Sequence, residues 1–508
     1  MKIILLDTTL RDGEQTSGVS FTSDEKLSIA KLLLEELKVD RLEVASAKVS
    51  EGEFQAVKKI TNWARENGHI DKIEVLGFVD GVKSVNWLKE SGCKVLNLLA
   101  KGSENHCKYQ LKKTPEEHFK DIIETIKVAH KNDISVNIYL EDWSNGMRNS
   151  KDYVFKMINS LKDIGIKRFM LPDTLGILNP DETLKFLSEI IKKYPDLKFD
   201  FHSHNDYDLA AANVFAALKS GIDCIHGTIN GLGERTGNVP ISTIIALVND
   251  HFKFEMNVDE SKLSLVSKMV EIYSGIHIPQ NKPIIGENVF TQTAGIHADG
   301  DMKHNLYFND ILPERFGRKR SYALGKTSGK ANIKKNLEEI GIELDDVSLK
   351  KVTAKIIELG DKKEMVTQED LPYIISDVLQ SKSLDKKIKV ENYSFSIANG
   401  LKPVASIKLN INDKTYEDIS EGDGQYDAIM KAIKKIYNRL GKTLPKLINY
   451  KVSIPPGGKT DALVQTIISW QKDKKFKTRG LDSDQTVSAI KATLKMLNII
   501  EEDYLNVK

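Results

Sequence analysis

Eight short runs of β-branched and apolar residues, each separated from the next by a longer amphipathic segment, occupy the first half of the chain. The runs are Ile3–Asp7, Arg41–Ala45, Ile73–Phe78, Val95–Leu99, Ser135–Leu140, Lys167–Leu171, Lys198–Phe201 and Asp223–Thr228. Between them lie helical patterns such as Ser23–Leu37, Pro115–His130, Asp152–Leu161 and Asp181–Lys193. Strand–helix alternation requires parallel pairing. Eight such units in about 250 residues fit a (β/α)8 TIM barrel better than an open doubly wound sheet. A barrel makes a sharp demand: polar residues with chemistry belong at the C-terminal ends of the strands.

Past roughly Glu271 the alternation lapses into helical and irregular sequence, including Lys330–Ile340 and Leu349–Lys362. The Ser- and charge-rich run Gln380–Lys389 reads as a linker. Strand-like Ser394–Ala398 and Ala405–Ile411 then precede Gly422-Asp423-Gly424 and a helix through Leu440. Strand-like Lys446–Ile454 and Asp461–Lys472 precede Asp482-Ser483-Asp484 and a helix through Asn498. The expectation is a barrel over residues 1–270, linker subdomains over 271–385, and a C-terminal α+β domain over 386–508 built as two tandem ββα units. The basic run Lys472–Arg479 reads as a solvated hairpin.

At 508 residues, two or three domains are the natural division. Lys+Arg (74) nearly balances Asp+Glu (72), so net charge gives no reason to expect a nucleic-acid partner. Cys93, Cys107 and Cys224 stand far apart without CxxC spacing, which suits a reducing cytosol rather than a disulfide framework. The apolar run Ile3–Leu6 is too short for a signal peptide and no later stretch is long enough for a membrane span, so the expected location is cytoplasmic.

The first run leads into Asp7-Thr8-Thr9-Leu10-Arg11-Asp12-Gly13-Glu14-Gln15; taken alone, Asp12-Gly13 reads equally well as an ordinary turn. The seventh ends in Phe201-His202-Ser203-His204-Asn205-Asp206. Residues two apart on a strand face the same side, so both imidazoles address one point. With Asp12 they make a mixed N/O set with open positions, suited to a divalent Mn, Mg or Zn ion. The eighth run ends in Asn230-Gly231-Leu232-Gly233-Glu234-Arg235-Thr236-Gly237-Asn238, where Thr236 occupies the third glycine place of a GxGxxG pattern. It reads as a glycine-rich turn aiming Asn238 at the barrel mouth rather than as a dinucleotide site. The fifth delivers Tyr139-Leu140-Glu141-Asp142 and the sixth Leu171-Pro172-Asp173-Thr174. A carboxylate there is a candidate proton carrier, though Glu141 alone reads equally as an exposed salt-bridging residue. Gly295–Gly300 and Asn305–Tyr307 carry His297 and Tyr307, by themselves ordinary loop residues.

Together these residues resemble the acyl-CoA-condensing metallo-barrel family that includes 2-isopropylmalate, homocitrate and citramalate synthases. Leu10-Arg11-Asp12-Gly13-Glu14-Gln15, then ten residues and Lys26, is similar to its first signature, and His202-Ser203-His204-Asn205-Asp206 to its second. The segment from Asn392 onward is similar to the family's amino-acid-sensing domain. The resemblance implies a divalent metal on Asp12, His202 and His204, with Asn238 as a fourth ligand. It implies Arg11 as the group that meets negative charge on the keto oxygen, and Glu141 as a carboxylate that takes part in deprotonating the acetyl-CoA methyl, directly or through water. His297 and Tyr307 would assist from the other subunit of a homodimer. Arg11, Asp12, Leu76, Leu99, Tyr139 and Thr174 are the implied contacts of the 2-oxo acid. The family generally carries Ser where Tyr139 stands and Gly where Asp208 stands. A phenol at Tyr139 leaves room for a methyl group but hardly for isopropyl. The closest likeness is therefore to the isoleucine-regulated citramalate type, including Asn145–Asn149 and Ile311–Gly317, which implies pyruvate as the acid and isoleucine as effector. Tyr426, Asp427, Leu447, Tyr450, Ile454, Thr460 and Val464 are the candidate effector contacts; the aliphatic ones read equally as core. A sister enzyme taking 2-oxoisovalerate is the main alternative.

Overall fold

The structure is a computed structural model and describes residues 1–361, 366–379, 388–453, 464–472 and 475–506. The chain divides into two compact units, Met1–Thr291 with Tyr307–Ser321, and Gln292–Leu306 with Tyr322–Lys508.

The first unit is a closed barrel of eight parallel strands in sequence order. They are β1 (Ile4–Asp7), β2 (Arg41–Ser46), β3 (Ile73–Phe78), β4 (Val95–Lys101), β5 (Ser135–Glu141), β6 (Phe169–Asp173), β7 (Phe199–Ser203) and β8 (Cys224–Gly227). Pairing of Leu6 with His226 and Asp7 with Gly227 closes β1 onto β8. All eight expected strands are present. Five run further than their apolar stretches: β2 to Ser46, β4 to Lys101, β5 to Glu141, β6 to Asp173 and β7 to Ser203. Ladder hydrogen bonds from the neighbouring strand hold these polar residues extended, which hydropathy alone does not record. Outward-facing aliphatics such as Leu5, Val44, Val75, Leu98, Val136 and Leu171 pack under the surrounding helices in one continuous core. Thr22 with Glu25, Thr114 with Glu117 and Asn179 with Glu182 form reciprocal caps that fix where three of those helices begin.

The second unit opens with helices Gly295–Met302, Lys330–Glu339, Asp346–Asp361 and Leu371–Leu379. Ile333, Leu337, Val352 and Ile356 form a core among the last three. Of the expected linker Gln380–Lys389, residues 380–387 lie outside the described residues, and Ile388 already opens a strand. The C-terminal part corrects the ββα expectation: each repeat is βββα. Strands Ile388–Ser396, Val404–Ile411 and Lys414–Glu421 form one antiparallel sheet, followed by helix Gln425–Arg439. Strands Lys446–Ser453, Val464–Gln471 and Lys475–Asp482 form the other, followed by helix Gln485–Asn506. The supposed basic hairpin is thus the third strand of its sheet, with Thr478 and Arg479 buried. Ile407, Leu409, Ile433, Ile436, Trp470 and Met496 share a single core across both repeats. No helix among the described residues is long and apolar enough to cross a membrane.

Candidate active site at the barrel mouth

The loop after β1 is shaped by its own backbone. The amides of Arg11, Asp12 and Gly13 all donate to the Thr8 carbonyl, at 3.1, 2.8 and 3.1 Å. Gly13 lies so close to Leu232 that an added Cβ would stand 3.3 Å from that side chain. Lys26, fully buried, donates to the Leu10 carbonyl at 3.1 Å and pairs with Glu14 at 2.6 Å and Glu53 at 2.5 Å. The spacing of Lys26 from the Arg11-Asp12 motif is therefore the reach of a helix-borne ammonium that clamps this loop.

Asp12, His202 and His204 are all buried and their ligand atoms lie within 4.8 Å of one another. His202 Nε2 and His204 Nε2 stand 3.0 and 3.7 Å from Asp12 Oδ2. Asn238 is brought alongside by its bridge to His204 and donates through Nδ2 to the Leu232 carbonyl at 3.1 Å. Among the described residues, both Asp12 oxygens, Asn238 Oδ1 and the two imidazole Nδ1 atoms are buried without an aligned hydrogen-bond partner. A buried carboxylate and a buried amide oxygen without a well-aligned donor are what a cation satisfies, and the N/O set fits a divalent one. Burial alone would raise the Asp12 carboxyl, but the Arg11 guanidinium, 3.6 Å away, and the two imidazoles hold it well below the usual carboxylate range. Burial pushes the His204 imidazole down to about 4, which keeps it neutral and able to ligate.

Beneath this cluster lies a ring of polar residues that sequence reasoning missed. Arg11 Nε donates to Glu43 at 2.6 Å and Arg11 Nη2 to the Tyr139 hydroxyl at 3.5 Å. Asn97 donates to Glu43 at 2.8 Å, Asn137 to Asn97 at 2.9 Å and to Glu74 at 3.4 Å. Arg41 pairs with Glu74 and, at 2.5 Å, with Asp200. Asp200 also pairs with Arg168 and meets His226 Nε2 at 3.0 Å, while His226 Nδ1 meets the Tyr139 hydroxyl at 3.1 Å. The signal was available: Glu43, Glu74, Asn97, Asn137, Asp200 and His226 are polar residues inside otherwise apolar parallel strands, where both faces are buried. Asp200, Cys224 and His226 also have ligand atoms within 4.8 Å of one another. Arg41 Nη1 lies 3.3 Å from Cys224 Sγ as well as against Asp200, so guanidinium groups already occupy the place of a cation there.

The expected pocket residues Leu76, Leu99 and Tyr139 fall into one apolar cluster with Leu6, Met170 and Cys224 inside the barrel. The Tyr139 ring stands edge-on to His202, centroids 6.2 Å apart. Glu141, at the end of β5, is ion-paired with Lys101 at the end of β4. Lys101 is held in turn by Tyr153, whose hydroxyl donates to its carbonyl at 2.8 Å, and by His118. Thr174 Oγ1 accepts the Asp142 amide at 2.9 Å, and Asp173 accepts the amides of Ile177 and Leu178, so both tie loops together. His297 lies half-buried in helix Gly295–Met302 of the second unit; Tyr307, 41% exposed, belongs to the first.

Among the effector candidates, Tyr426 and Tyr450 meet with ring centroids 5.1 Å apart, and the Tyr426 hydroxyl lies 2.7 Å from Thr493 Oγ1. Asp427 accepts the Asp423 amide and pairs with Lys431 at 2.7 Å. Leu447 is exposed, Val464 is buried, and Ile454 and Thr460 lie outside the described residues.

A family model described as HMGL-like matches residues 2–270, one described as homocitrate synthase post-HMGL domain-like matches 284–364, and one for the LeuA allosteric (dimerisation) domain matches 365–501. The chain is 32% identical to the (R)-citramalate synthase of Methanocaldococcus jannaschii, covering 98% of this chain and all of that one. It is 33% identical to the 2-isopropylmalate synthase of the same organism, covering 98% and 95%. It is also 33% identical to the homocitrate synthase of Sulfurisphaera tokodaii, covering 88% and 96%. The chain belongs to this HMGL-like synthase family. It is accordingly an enzyme of the kind that condenses acetyl-CoA with a 2-oxo acid. Near-equal identity to synthases of three names leaves the choice of acid to the pocket.

Proposed function

We propose that this synthase is an (R)-citramalate synthase, joining acetyl-CoA to pyruvate. The reading is carried by Tyr139, buried against Leu76 and Leu99, edge-on to His202 and within reach of Arg11. A ring fixed at that point takes up the volume into which a branched 2-oxo acid would extend. Asp12, His202, His204 and Asn238 would hold a divalent cation, Mn, Mg or Zn, which when bound supplies Lewis-acid polarisation of the keto carbonyl. Arg11, always charged, meets the negative charge that develops on the keto oxygen. Glu141 takes a proton from the acetyl-CoA methyl, with His297 and Tyr307 assisting from the second subunit of a homodimer. The methyl carbon then bonds to the keto carbon as the carbonyl π pair moves onto the keto oxygen, which takes up a proton to become the hydroxyl. Water subsequently adds to the thioester, the C–S bond breaks, and CoA leaves as the thiol. Residues 386–508 would bind isoleucine and restrain the barrel, a reading supported by the allosteric-domain match over residues 365–501.

The test is CoA release with pyruvate, 2-oxobutanoate and 2-oxoisovalerate. A methylene in an apolar pocket changes specificity by about 1–3 kcal/mol, so kcat/KM should fall by about ten-fold or more at each step up in size. Equal or better turnover of 2-oxoisovalerate moves the assignment to 2-isopropylmalate synthase.

A further inference from the structure

The directions of the hydrogen bonds around Tyr139 are fixed by elimination. Arg11 is a donor only, so its Nη2–H is given to the phenol oxygen at 3.5 Å. The phenol proton needs another acceptor, and His226 Nδ1, at 3.1 Å, supplies it. Nδ1 is then bare, and the ring proton sits on Nε2, 3.0 Å from Asp200 Oδ2. Asp200 is an acceptor because Arg41 and Arg168 both pair with it. Every donor in the series points the same way: Arg11 to Tyr139, Tyr139 to His226, His226 to Asp200. Burial pushes the imidazole down to about 3 despite Asp200, in keeping with a single ring proton. His226, on β8, thus reaches across the barrel interior to the hydroxyl of a residue on β5.

We infer that His226, oriented by Asp200, is a positioning residue that pins the Tyr139 hydroxyl and so sets how large a 2-oxo acid the enzyme accepts. The inference rests on the reading of Tyr139 as part of the 2-oxo acid pocket. With Nδ1 removed, the phenol loses its acceptor and the ring is held by apolar contacts alone. It is then free to give way before a larger substrate, and Arg11 loses the partner that complements Glu43.

The readout is the ratio of kcat/KM for 2-oxoisovalerate to that for pyruvate, measured with the full chain. His226→Gln keeps a donor for Asp200 but places no acceptor at Nδ1; the ratio should rise about ten-fold, the scale of one methylene of selectivity, with the KM of the smaller acid also raised. His226→Asn keeps an acceptor near the Nδ1 position and should hold the ratio within about three-fold of the parent. In a Tyr139→Phe background, which has no hydroxyl to pin, His226→Gln should change the ratio by less than about two-fold, because coupled residues are not additive. A folded His226→Gln enzyme with lower activity but an unchanged ratio overturns the inference, as do fully multiplicative effects in the double variant. If the parent prefers 2-oxoisovalerate, the pyruvate reading fails while the coupling still tests His226. Should His226→Gln not fold, the Asn variant alone decides: a ratio shifted about ten-fold despite the acceptor overturns the inference, and one held within about three-fold supports it.

Discussion

His118 is buried on helix Pro115–Lys131, and its Nε2 accepts the amide of Lys101, the partner of Glu141. Burial, reinforced by Lys113, pushes its imidazole down to about 4. An unfolded histidine takes up its proton near 6.5. Between those values the unfolded chain binds a proton that the native one refuses, so stability is lost as pH falls. Nothing is lost above pH 6.5, and the loss grows to about 3 kcal/mol by pH 4, at about 1.4 kcal/mol per unit. His118→Gln keeps an acceptor and cannot titrate, so its urea-unfolding free energy should drop by correspondingly less than the parent's between pH 7 and pH 4; parallel curves would refute this role. The proposed metal ligands give a second prediction at this scale. A cation that binds only the folded barrel at about 100 times its Kd adds about 2.7 kcal/mol, so Mn should raise the Tm of the parent and leave that of His202→Ala unmoved. That variant should also lose turnover while remaining folded; activity surviving exhaustive chelation would remove the metal assignment. Asp12, His202 and His204 were legible because their side chains converge by strand alternation and by proximity to a strand end. Glu43, Asn97, His226 and Asp200 stand out as polar residues in apolar strands, but their pairing was not legible, because their partners sit on other strands and the register that joins them is fixed only when the barrel closes.

At the scale of elements, the barrel was readable because all eight strands are buried on both faces and so appear as apolar runs. The C-terminal sheets are half exposed, and their third strands gave no such signal. Lys414–Glu421 is half-buried at only Tyr416, Asp418 and Ser420. Polar links tie it to helix Gln425–Arg439: Arg439 pairs with Asp418 at 3.0 Å, and Lys435 donates to the Ile419 carbonyl at 2.7 Å. Lys475–Asp482 is masked by its lysines, although Trp470 Nε1 donates to Thr478 Oγ1 at 2.7 Å across the sheet. Its Gly480 is where helix Gln485–Asn506 presses on the strand, the Ser488 hydroxyl donating to the Gly480 carbonyl at 2.9 Å. A Cβ at Gly480 would overlap the Ser488 carbonyl oxygen, a backbone atom that cannot yield without shifting the helix. Gly480→Ala should therefore destabilise this repeat by about 1–3 kcal/mol. Hydrogen exchange should speed up in the second repeat and stay unchanged in β1–β8; protection equal to the parent's would show that the helix accommodates the methyl.

For the whole molecule, the question is whether an amino acid bound in residues 386–508 alters chemistry at the barrel mouth. Coupling between sites is a free energy and is reciprocal: if isoleucine weakens CoA binding by some factor, CoA weakens isoleucine binding by the same factor. Typical couplings of about 1–3 kcal/mol correspond to roughly 5–150-fold. The effector reading gives Tyr426 and Tyr450 particular weight, since a pair of phenol rings in tilted contact, flanked by Thr493, offers an apolar wall with polar atoms at its edge. Titration of the full chain with isoleucine, in the absence and presence of saturating CoA, should give dissociation constants that differ by a factor within that range. The mirror titration with CoA should return the same factor. Tyr450→Ala should weaken isoleucine binding by about ten-fold or more while leaving CoA affinity, measured without isoleucine, within about two-fold of the parent. Unequal factors in the two titrations would mean that the second ligand reaches another site. Tighter binding of leucine than of isoleucine would count against pyruvate as well, because feedback control by leucine belongs with the enzyme that takes the branched acid.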